Sequence, residues 1–427
     1  MNVFFDTIGC RLNQSEIEIM AAQFRKAGHI VVSCSEDAEL VIVNTCTVTK
    51  AAASDSRQKI RQAAHKGDAQ IFATGCWATL EPEAALALPG VQKVVANQDK
   101  ENLVSDYLKI TPLVFDLEPL AREPIPGEHS RTRAFIKVQD GCDNFCTFCI
   151  TKVARGKGVS RSLNEILMDI KQAQVGGVQE VVLSGVHLGS WGKDFDTPSQ
   201  LRDLIEVILK QTEVPRLRLS SLEPWDLGKS FFSLWQDARM CPHLHLPLQS
   251  GSEAILRKMA RKTTPEKYMR IVEEARSVVP DVAITTDMIV GFPGETDELF
   301  EESMAFVRKV NFAGGHIFPF SARPGTAAAK FPDQIQKQIK KKRSAAMRAV
   351  FAEMTHQYQS RFIGETVEVL WENGEELPEG GWLMKGLTGN YLRIAINSEY
   401  NLSNTISKIK ISTFSNNNMA GIIQENS

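Results

Sequence analysis

The stretch Phe135-Ile136-Lys137-Val138-Gln139-Asp140-Gly141-Cys142-Asp143-Asn144-Phe145-Cys146-Thr147-Phe148-Cys149 decides how this chain is read. An apolar run of strand length ends in a glycine, and three cysteines follow at C-x3-C-x2-C spacing. Similar apolar runs recur at 181–184, 217–220, 244–246, 282–290 and 317–320, with helical periodicity between them. Leu163, Ile166, Leu167 and Ile170 mark one intervening helix, and Leu201, Leu204, Ile205 and Ile208 another. Six such βα units within residues 131–362 suit an open, partial (β/α)6 barrel better than a doubly wound sheet, which stays the alternative on the residues alone.

Working outward, residues 1–112 also alternate short apolar runs with amphipathic stretches, which predicts a parallel α/β sheet domain. Val3-Phe4-Phe5, Ile30-Val31-Val32, residues 40–43 and Gln70-Ile71-Phe72 read as its strands; residues 13–26 and 51–65 read as helices. Pro112, Pro119, Pro124, Pro126 and Gly127 mark residues 113–130 as the linker. Beyond Gly364 the periodicity becomes two, with Val367, Val369 and Trp371 on one face and Leu392, Ile394 and Ile396 in a later run, so residues 363–425 predict a small antiparallel β-barrel. The run 334–348 carries Lys337, Lys340, Lys341, Lys342, Arg343 and Arg348 with no acid. It is either a solvated helix face or, beside a β-module, part of an RNA surface.

Bulk properties exclude more than they assign. The net charge of -2 gives no general argument for a nucleic-acid partner, so any such affinity must be local. No apolar run approaches the roughly 20 residues that span a bilayer, and the start Met1-Asn2-Val3-Phe4-Phe5-Asp6 lacks the basic region of a signal peptide. A cytoplasmic protein without a membrane segment is expected. Eight cysteines in such a chain point to metal or catalytic work rather than disulfides.

Cys142, Cys146 and Cys149 can bind three irons of a [4Fe-4S] cube and leave the fourth without a protein ligand. An open iron of that kind can chelate the amino and carboxylate groups of S-adenosylmethionine and deliver the electron that cleaves it. Phe145 and Phe148 are expected to shield the cube. Structural zinc is the competing use; it wants four ligands, and the nearest histidines in sequence are His129 and His187. Cys10, Cys46 and Cys76 each follow a predicted strand, and in a parallel sheet such positions share the ligand-binding edge, so they are expected to converge on a second, auxiliary [4Fe-4S] cluster. The bland reading is three small buried cysteines. Cys34 and Cys241 are read as structural.

These motifs resemble the methylthiotransferase branch of the radical S-adenosylmethionine superfamily over nearly the whole chain. The resemblance rests on Gly9-Cys10-Arg11-Leu12-Asn13, Asn44-Thr45-Cys46-Thr47-Val48-Thr49, Thr74-Gly75-Cys76, Arg131-Thr132-Arg133-Ala134-Phe135 with the triple-cysteine loop, Leu246-Pro247-Leu248-Gln249-Ser250-Gly251-Ser252, Asp287-Met288-Ile289-Val290-Gly291-Phe292-Pro293-Gly294-Glu295-Thr296 and Ser321-Ala322-Arg323-Pro324-Gly325-Thr326. It implies an N-terminal methylthiotransferase domain, a radical barrel and a C-terminal TRAM domain for RNA. It further implies two clusters, S-adenosylmethionine, a tRNA substrate and a flavodoxin- or ferredoxin-like electron donor. Residues 44–49 and Asp55-Ser56-Arg57-Gln58 look most like the type acting on N6-threonylcarbamoyladenosine, ahead of the types acting on isopentenyladenosine or a ribosomal-protein aspartate. The sequence departs from the family at Lys152-Val153, where a Pro-aromatic pair is common, and at Arg261-Lys262-Thr263-Thr264, where a Tyr is common before the Thr.

By the same resemblance, one S-adenosylmethionine methylates sulfur held at the auxiliary triad, and a second yields the radical that activates C2 of the adenine. Ser184 and Gly185 at a strand end are candidate contacts for the amino-acid part of S-adenosylmethionine, and Glu223 for its ribose. Arg155 and Arg323 are candidates for a carboxylate or phosphate, or for structural ion pairs. A noncatalytic metal protein that binds RNA is the reading from another class.

Overall fold

The computed structural model describes residues 1–111, 132–228, 230–415 and 418–424. The expected linker, 113–130, and the expected C-terminal limit at 425 lie outside the described residues.

The first sheet is fully parallel. Its strands are β1 (Asn2–Thr7), β2 (Ile30–Val31), β3 (Leu40–Thr45), β4 (Gln70–Thr74) and β5 (Val91–Val95), in the order β2-β1-β3-β4-β5. Every residue of β3 is buried, as a central parallel strand covered on both faces requires. Helices α1 (Arg11–Lys26), α2 (Lys50–Lys66), α3 (Gly75–Leu80), α4 (Pro82–Leu86) and α5 (Leu103–Leu108) supply those covers. Ile17, Met20, Ala21 and Phe24 of α1 pack with Phe5 and Ile42 on one face; Ile60 and Trp77 pack with Val41 and Ile71 on the other. The Thr49 side chain caps α2 by accepting from the Ala52 amide.

The second unit holds β6 (Arg133–Asp140), β7 (Val159–Ser160), β8 (Glu180–Gly185), β9 (Arg216–Leu219), β10 (His243–His245), β11 (Ala283–Val290) and β12 (Gly314–Pro319). Parallel pairing runs β6-β8-β9 and β10-β11-β12, and the bridges Leu217↔Met240 and Ser221↔His245 carry it from β9 towards β10. Among the described residues only the two-residue β7 is antiparallel, on the outer edge of β6. No pairing among the described residues joins β6 to β12, so this is the open, partial barrel that the six apolar runs predict. Helices α6 (Thr151–Arg155), α7 (Leu163–Val175), α8 (Leu201–Gln211), α9 (Glu253–Lys258), α10 (Pro265–Val278), α11 (Asp297–Val310) and α12 (Lys337–Ser360) complete it.

The last five strands, β13 (Thr366–Glu376), β14 (Trp382–Thr388), β15 (Arg393–Ser398), β16 (Ile406–Ser415) and β17 (Asn418–Ile423), form a closed barrel in the order β13-β14-β15-β17-β16. All pairs are antiparallel except the bridge Ile394↔Met419 that closes the ring. Val369, Trp371, Met384, Leu392, Ile394 and Ile396 fill its interior. It is pinned to the partial barrel by Arg216, which donates to the Leu387 carbonyl at 3.0 Å, and by Arg218, which donates to the Gly389 carbonyl at 2.9 Å.

The basic run on α12 needs correction as a surface. Arg343 is buried: it donates to the Glu295 carboxylate at 2.7 Å and to Asp297 at 2.7 Å. Lys340 lies against Gly291 and donates to the Phe320 carbonyl at 3.0 Å. The acids that pair with Arg343 lie just before α11 (Glu295) and at its first residue (Asp297), so local sequence could not reveal them. Lys337, Lys341, Lys342 and Arg348 remain exposed. Among the described residues, no helix is long and apolar enough to cross a membrane.

Candidate active site

Cys10, Cys46 and Cys76 stand at the carboxyl ends of β1, β3 and β4, three adjacent strands of one sheet. Neighbouring strands lie about 4.8 Å apart, so the thiols share one short edge. Glycine makes this approach possible. Gly9 has φ of +109°, and a Cβ there would fall 2.6 Å from the Cβ and Sγ of Cys46; Gly75 has φ of +91°, and a Cβ there would fall 2.3 Å from the Thr45 carbonyl oxygen. The amide of Asn97 donates to Cys76 Sγ at 3.6 Å, and the Cys10 thiol donates to Asn13 Oδ1 at 3.6 Å. Burial pushes the Cys46 thiol up to about 11, so any metal bound there would have to displace its proton.

The second triad repeats the device. Gly141 precedes Cys142 with φ of +66°, and a Cβ there would meet the Lys157 carbonyl oxygen at 1.9 Å. The loop is fixed by main-chain bonds from Cys142 to Gly156 (3.1 Å), from Thr147 to Met259 (3.1 Å) and from Ala328 to Thr147 (2.8 Å). Arg261 donates to Cys146 Sγ at 3.8 Å while holding Glu223 at 2.7 and 3.0 Å. His187 lies beside Cys142; burial opposes its charge, but hydrogen bonds to Asp226 and Cys142 raise it to about 9. Phe145 is 75% exposed under the ammonium of Lys152, so it does not shield the loop, whereas Phe148 packs half-buried against the cluster of Ile255 and Phe292.

Gly141 yields a test. Gly141→Ala must both adopt a left-handed backbone and overlap a carbonyl, so about four irons and their absorption should be lost on anaerobic reconstitution. Gly156→Ala shares the positive φ, +76°, but has nothing within 4 Å of the new Cβ. Its ψ of −153° puts it in a region nearly confined to glycine, so the variant should retain iron and lose about 1–3 kcal/mol of stability, readable as a lower thermal midpoint. Equal iron in the two variants would refute the close-approach argument.

Ser184 and Gly185 end β8 next to this loop. The Ser184 hydroxyl is buried and donates to the Val182 carbonyl at 3.4 Å; a Cβ on Gly185 would lie 3.2 Å from Gln139. Glu223 follows β9, so these three residues share the strand-end rim with Cys142, Cys146 and Cys149. Cys34 bonds Asp37 at 3.0 Å, and Cys241 is buried beside Glu180; both stand outside the triads. Among the described residues, no three His, Cys, Asp or Glu side chains converge on one ion.

A buried ionic network joins the two triads. Arg155 donates to Glu16 at 2.8 Å, to Asp140 at 2.9 Å and to Asn13 at 2.7 Å; Lys100 reaches Glu16 at 2.7 Å. Asn97, which donates to Cys76, also bonds the Ala154 carbonyl at 2.8 Å. Arg155 is thus the structural ion pair of its two readings. Burial works against the Glu16 charge, yet Lys100, Arg155 and Lys137 hold its carboxyl well below the usual range. Sequence reasoning missed Glu16; its one signal is a carboxylate beside Ile17 on the apolar face of α1. Arg323, on the loop after β12, senses Cys46 and is half-buried.

A cavity of about 910 Å³ opens where all three units meet, with Cys10 and Arg11, Arg133 and Asp287, and Tyr391 among its lining residues. That volume accommodates a nucleoside.

The chain matches the radical SAM superfamily over residues 136–307 and the uncharacterized protein family UPF0004 over residues 2–97. It is 34% identical over 420 residues, covering 96% of this chain and 93% of the relative, to threonylcarbamoyladenosine tRNA methylthiotransferase MtaB of Bacillus subtilis. It is 37% identical over 406 residues, covering 93% and 91%, to the protein of the same name from Thermotoga maritima. Among solved structures, the radical S-adenosylmethionine methyltransferase TsrM from Kitasatospora setae, with cobalamin and a [4Fe-4S] cluster bound, aligns with TM-score 0.58 at 14% identity over 77% of this chain and 76% of that one. The cobalamin-dependent S-adenosylmethionine radical enzyme OxsB aligns with TM-score 0.52 at 11% identity, over 82% of this chain and 56% of that one. At these identities the two structures speak to the fold alone.

Proposed function

The chain belongs to the threonylcarbamoyladenosine tRNA methylthiotransferases, within the radical S-adenosylmethionine enzymes, and from that premise we propose that it methylthiolates C2 of N6-threonylcarbamoyladenosine at position 37 of tRNA. Cys142, Cys146 and Cys149 hold the [4Fe-4S] cluster that engages S-adenosylmethionine, and Cys10, Cys46 and Cys76 hold an auxiliary one. When bound, the first supplies the electron for cleavage of S-adenosylmethionine and the second carries the sulfur to be methylated and inserted. A carbon with no acidic proton lies beyond ordinary acid–base catalysis, which is why the protein's share is to position and to exclude water.

One observation carries this reading: both triads sit at strand carboxyl ends, and Arg155 with Asn97 locks the two edges together. Asn97, Arg261 and the Asn144 amide direct N–H groups at cysteine sulfur, the environment an anionic thiolate cluster requires. Ser184 and Gly185 leave room for the amino-acid part of S-adenosylmethionine, and Glu223, oriented by Arg261, stands ready for its ribose. The target nucleoside sits between the two triads, with the C-terminal barrel contacting the RNA around it. A flavodoxin- or ferredoxin-like protein supplies the electron.

Mass spectrometry of tRNA nucleosides from cells with and without the gene tests the assignment. The methylthio derivative of threonylcarbamoyladenosine should vanish and its unthiolated parent accumulate. Loss of the isopentenyl derivative instead would transfer the chain to the second substrate class; no change in either would overturn an RNA substrate.

A further inference from the structure

Resting on that reading, we propose that Arg323, with the Ser321 hydroxyl, is the oxyanion anchor for the substrate in the space between the two triads. The ligand chemistry is an anionic oxygen pair of the tRNA, supplied either by the threonyl carboxylate on the target base or by a neighbouring backbone phosphate.

Arg323 is built into place before any ligand arrives. The loop of Ser321 and Arg323 turns back on itself through Thr326, whose amide and hydroxyl both donate to the Arg323 carbonyl, at 3.1 and 2.8 Å. The turn is fastened to the triple-cysteine loop: Ala328 donates to the Thr147 carbonyl at 2.8 Å, and a Cβ on Gly325 would come within 3.9 Å of Ile150, the residue after Cys149. From this position the guanidinium feels the charges of Cys46, on the other triad, and of Glu81. Arg323 is thus carried on a turn fastened to one triad's loop and lies within electrostatic reach of Cys46 on the other.

Two of its donors are unused. Nε and Nη2 of Arg323 are buried and make no hydrogen bond among the described residues, and neither does the buried Ser321 hydroxyl. A desolvated guanidinium without a partner costs folding free energy, and burial already pushes its pKa below the ordinary arginine value. The contrast with Arg155 and Arg261 is instructive, since both are held by carboxylates of this chain at 2.7–3.0 Å. An arginine fork with two idle, preorganised N–H groups matches a planar or tetrahedral oxyanion. The target base offers one close by, because the N6 substituent and C2 flank the same edge of the purine ring.

The test uses full-length protein reconstituted anaerobically with both clusters. Fluorescent anticodon stem-loop RNAs, one bearing threonylcarbamoyladenosine and one plain adenosine at the same position, report Kd by anisotropy at fixed salt. Arg323→Gln should weaken binding of the modified RNA about tenfold or more, the scale of a lost charge-assisted bond. Arg323→Lys, which keeps charge but not the fork, should recover only part of it and carries the test if the Gln variant loses iron. A loss confined to the modified RNA assigns the carboxylate; an equal loss on both assigns the phosphate; either supports the anchor. Unchanged Kd for both RNAs in both variants overturns it, as does unchanged Kd with an altered cluster absorption spectrum, which places the guanidinium on cluster sulfur instead. Failure of the parent protein to bind either RNA is a separate result, and it would overturn the substrate reading itself.

Discussion

Replacing Cys142, Cys146 and Cys149 together with Ala should abolish reductive cleavage of S-adenosylmethionine, and with it all methylthiolation, while about four irons stay bound. The expectation follows from how the loop is built. Its three thiols hang on a backbone already fixed by bonds to Gly156, Met259 and Ala328, none of which passes through sulfur. The fold around the loop should therefore survive the loss, and what disappears is the electron-delivering group whose chemistry no side chain replaces. Anaerobic reconstitution, iron determination and chromatographic measurement of 5'-deoxyadenosine check it. Deoxyadenosine formed at the parent rate would exclude the assignment, and zinc at full occupancy in the parent, with negligible iron, would exclude the cluster itself.

How far the sequence reaches can be judged at particular residues. The parallel sheet was legible because residues 40–43 are apolar without interruption, and the structure buries every one. The convergence of Cys10, Cys46 and Cys76 on one edge was legible for the same reason, since in a parallel sheet a strand's end identifies the edge. Strand β5 was not: Gln92 and Lys93 are exposed at the sheet's edge, which leaves neither alternation nor a continuous apolar run. Arg343 looked like surface because its partners, Glu295 and Asp297, lie far back along the chain. Arg155 could not be separated from Arg323 by sequence at all. One is consumed by Glu16, which stands 139 residues away, and the other keeps two buried nitrogens without a partner among the described residues; only the folded chain distinguishes a charge that is satisfied from one that waits. Phe145 failed for a related reason: an aromatic residue between two cysteines is only shielding if its ring turns inward, and Lys152 holds it outward.

The Cys10, Cys46 and Cys76 to Ala variant should still cleave S-adenosylmethionine to 5'-deoxyadenosine yet form no methylthiolated nucleoside. The two triads are proposed to divide the reaction, so their losses must differ in kind. The structure also shows where the experiment is vulnerable. Cys46 and Cys76 are buried, Cys46 fills the space against Gly9, and Cys76 touches Asn97, whose other bond reaches Ala154 in the barrel. Shrinking these side chains therefore removes packing as well as iron ligands, and removing a cluster can unfold the domain that holds it. Two controls separate the effects. Circular dichroism reports the parallel sheet, and an iron content near four reports that the triple-cysteine loop is still loaded. Serine in place of alanine at Cys46 and Cys76 keeps nearly the side-chain volume and should give the same split, because a hydroxyl, far harder to deprotonate than a thiol, is a much weaker ligand for iron. With both controls satisfied, deoxyadenosine without methylthiolation assigns Cys10, Cys46 and Cys76 to sulfur delivery, whereas methylthiolated tRNA at the parent rate would make them ordinary buried cysteines at the end of a sheet.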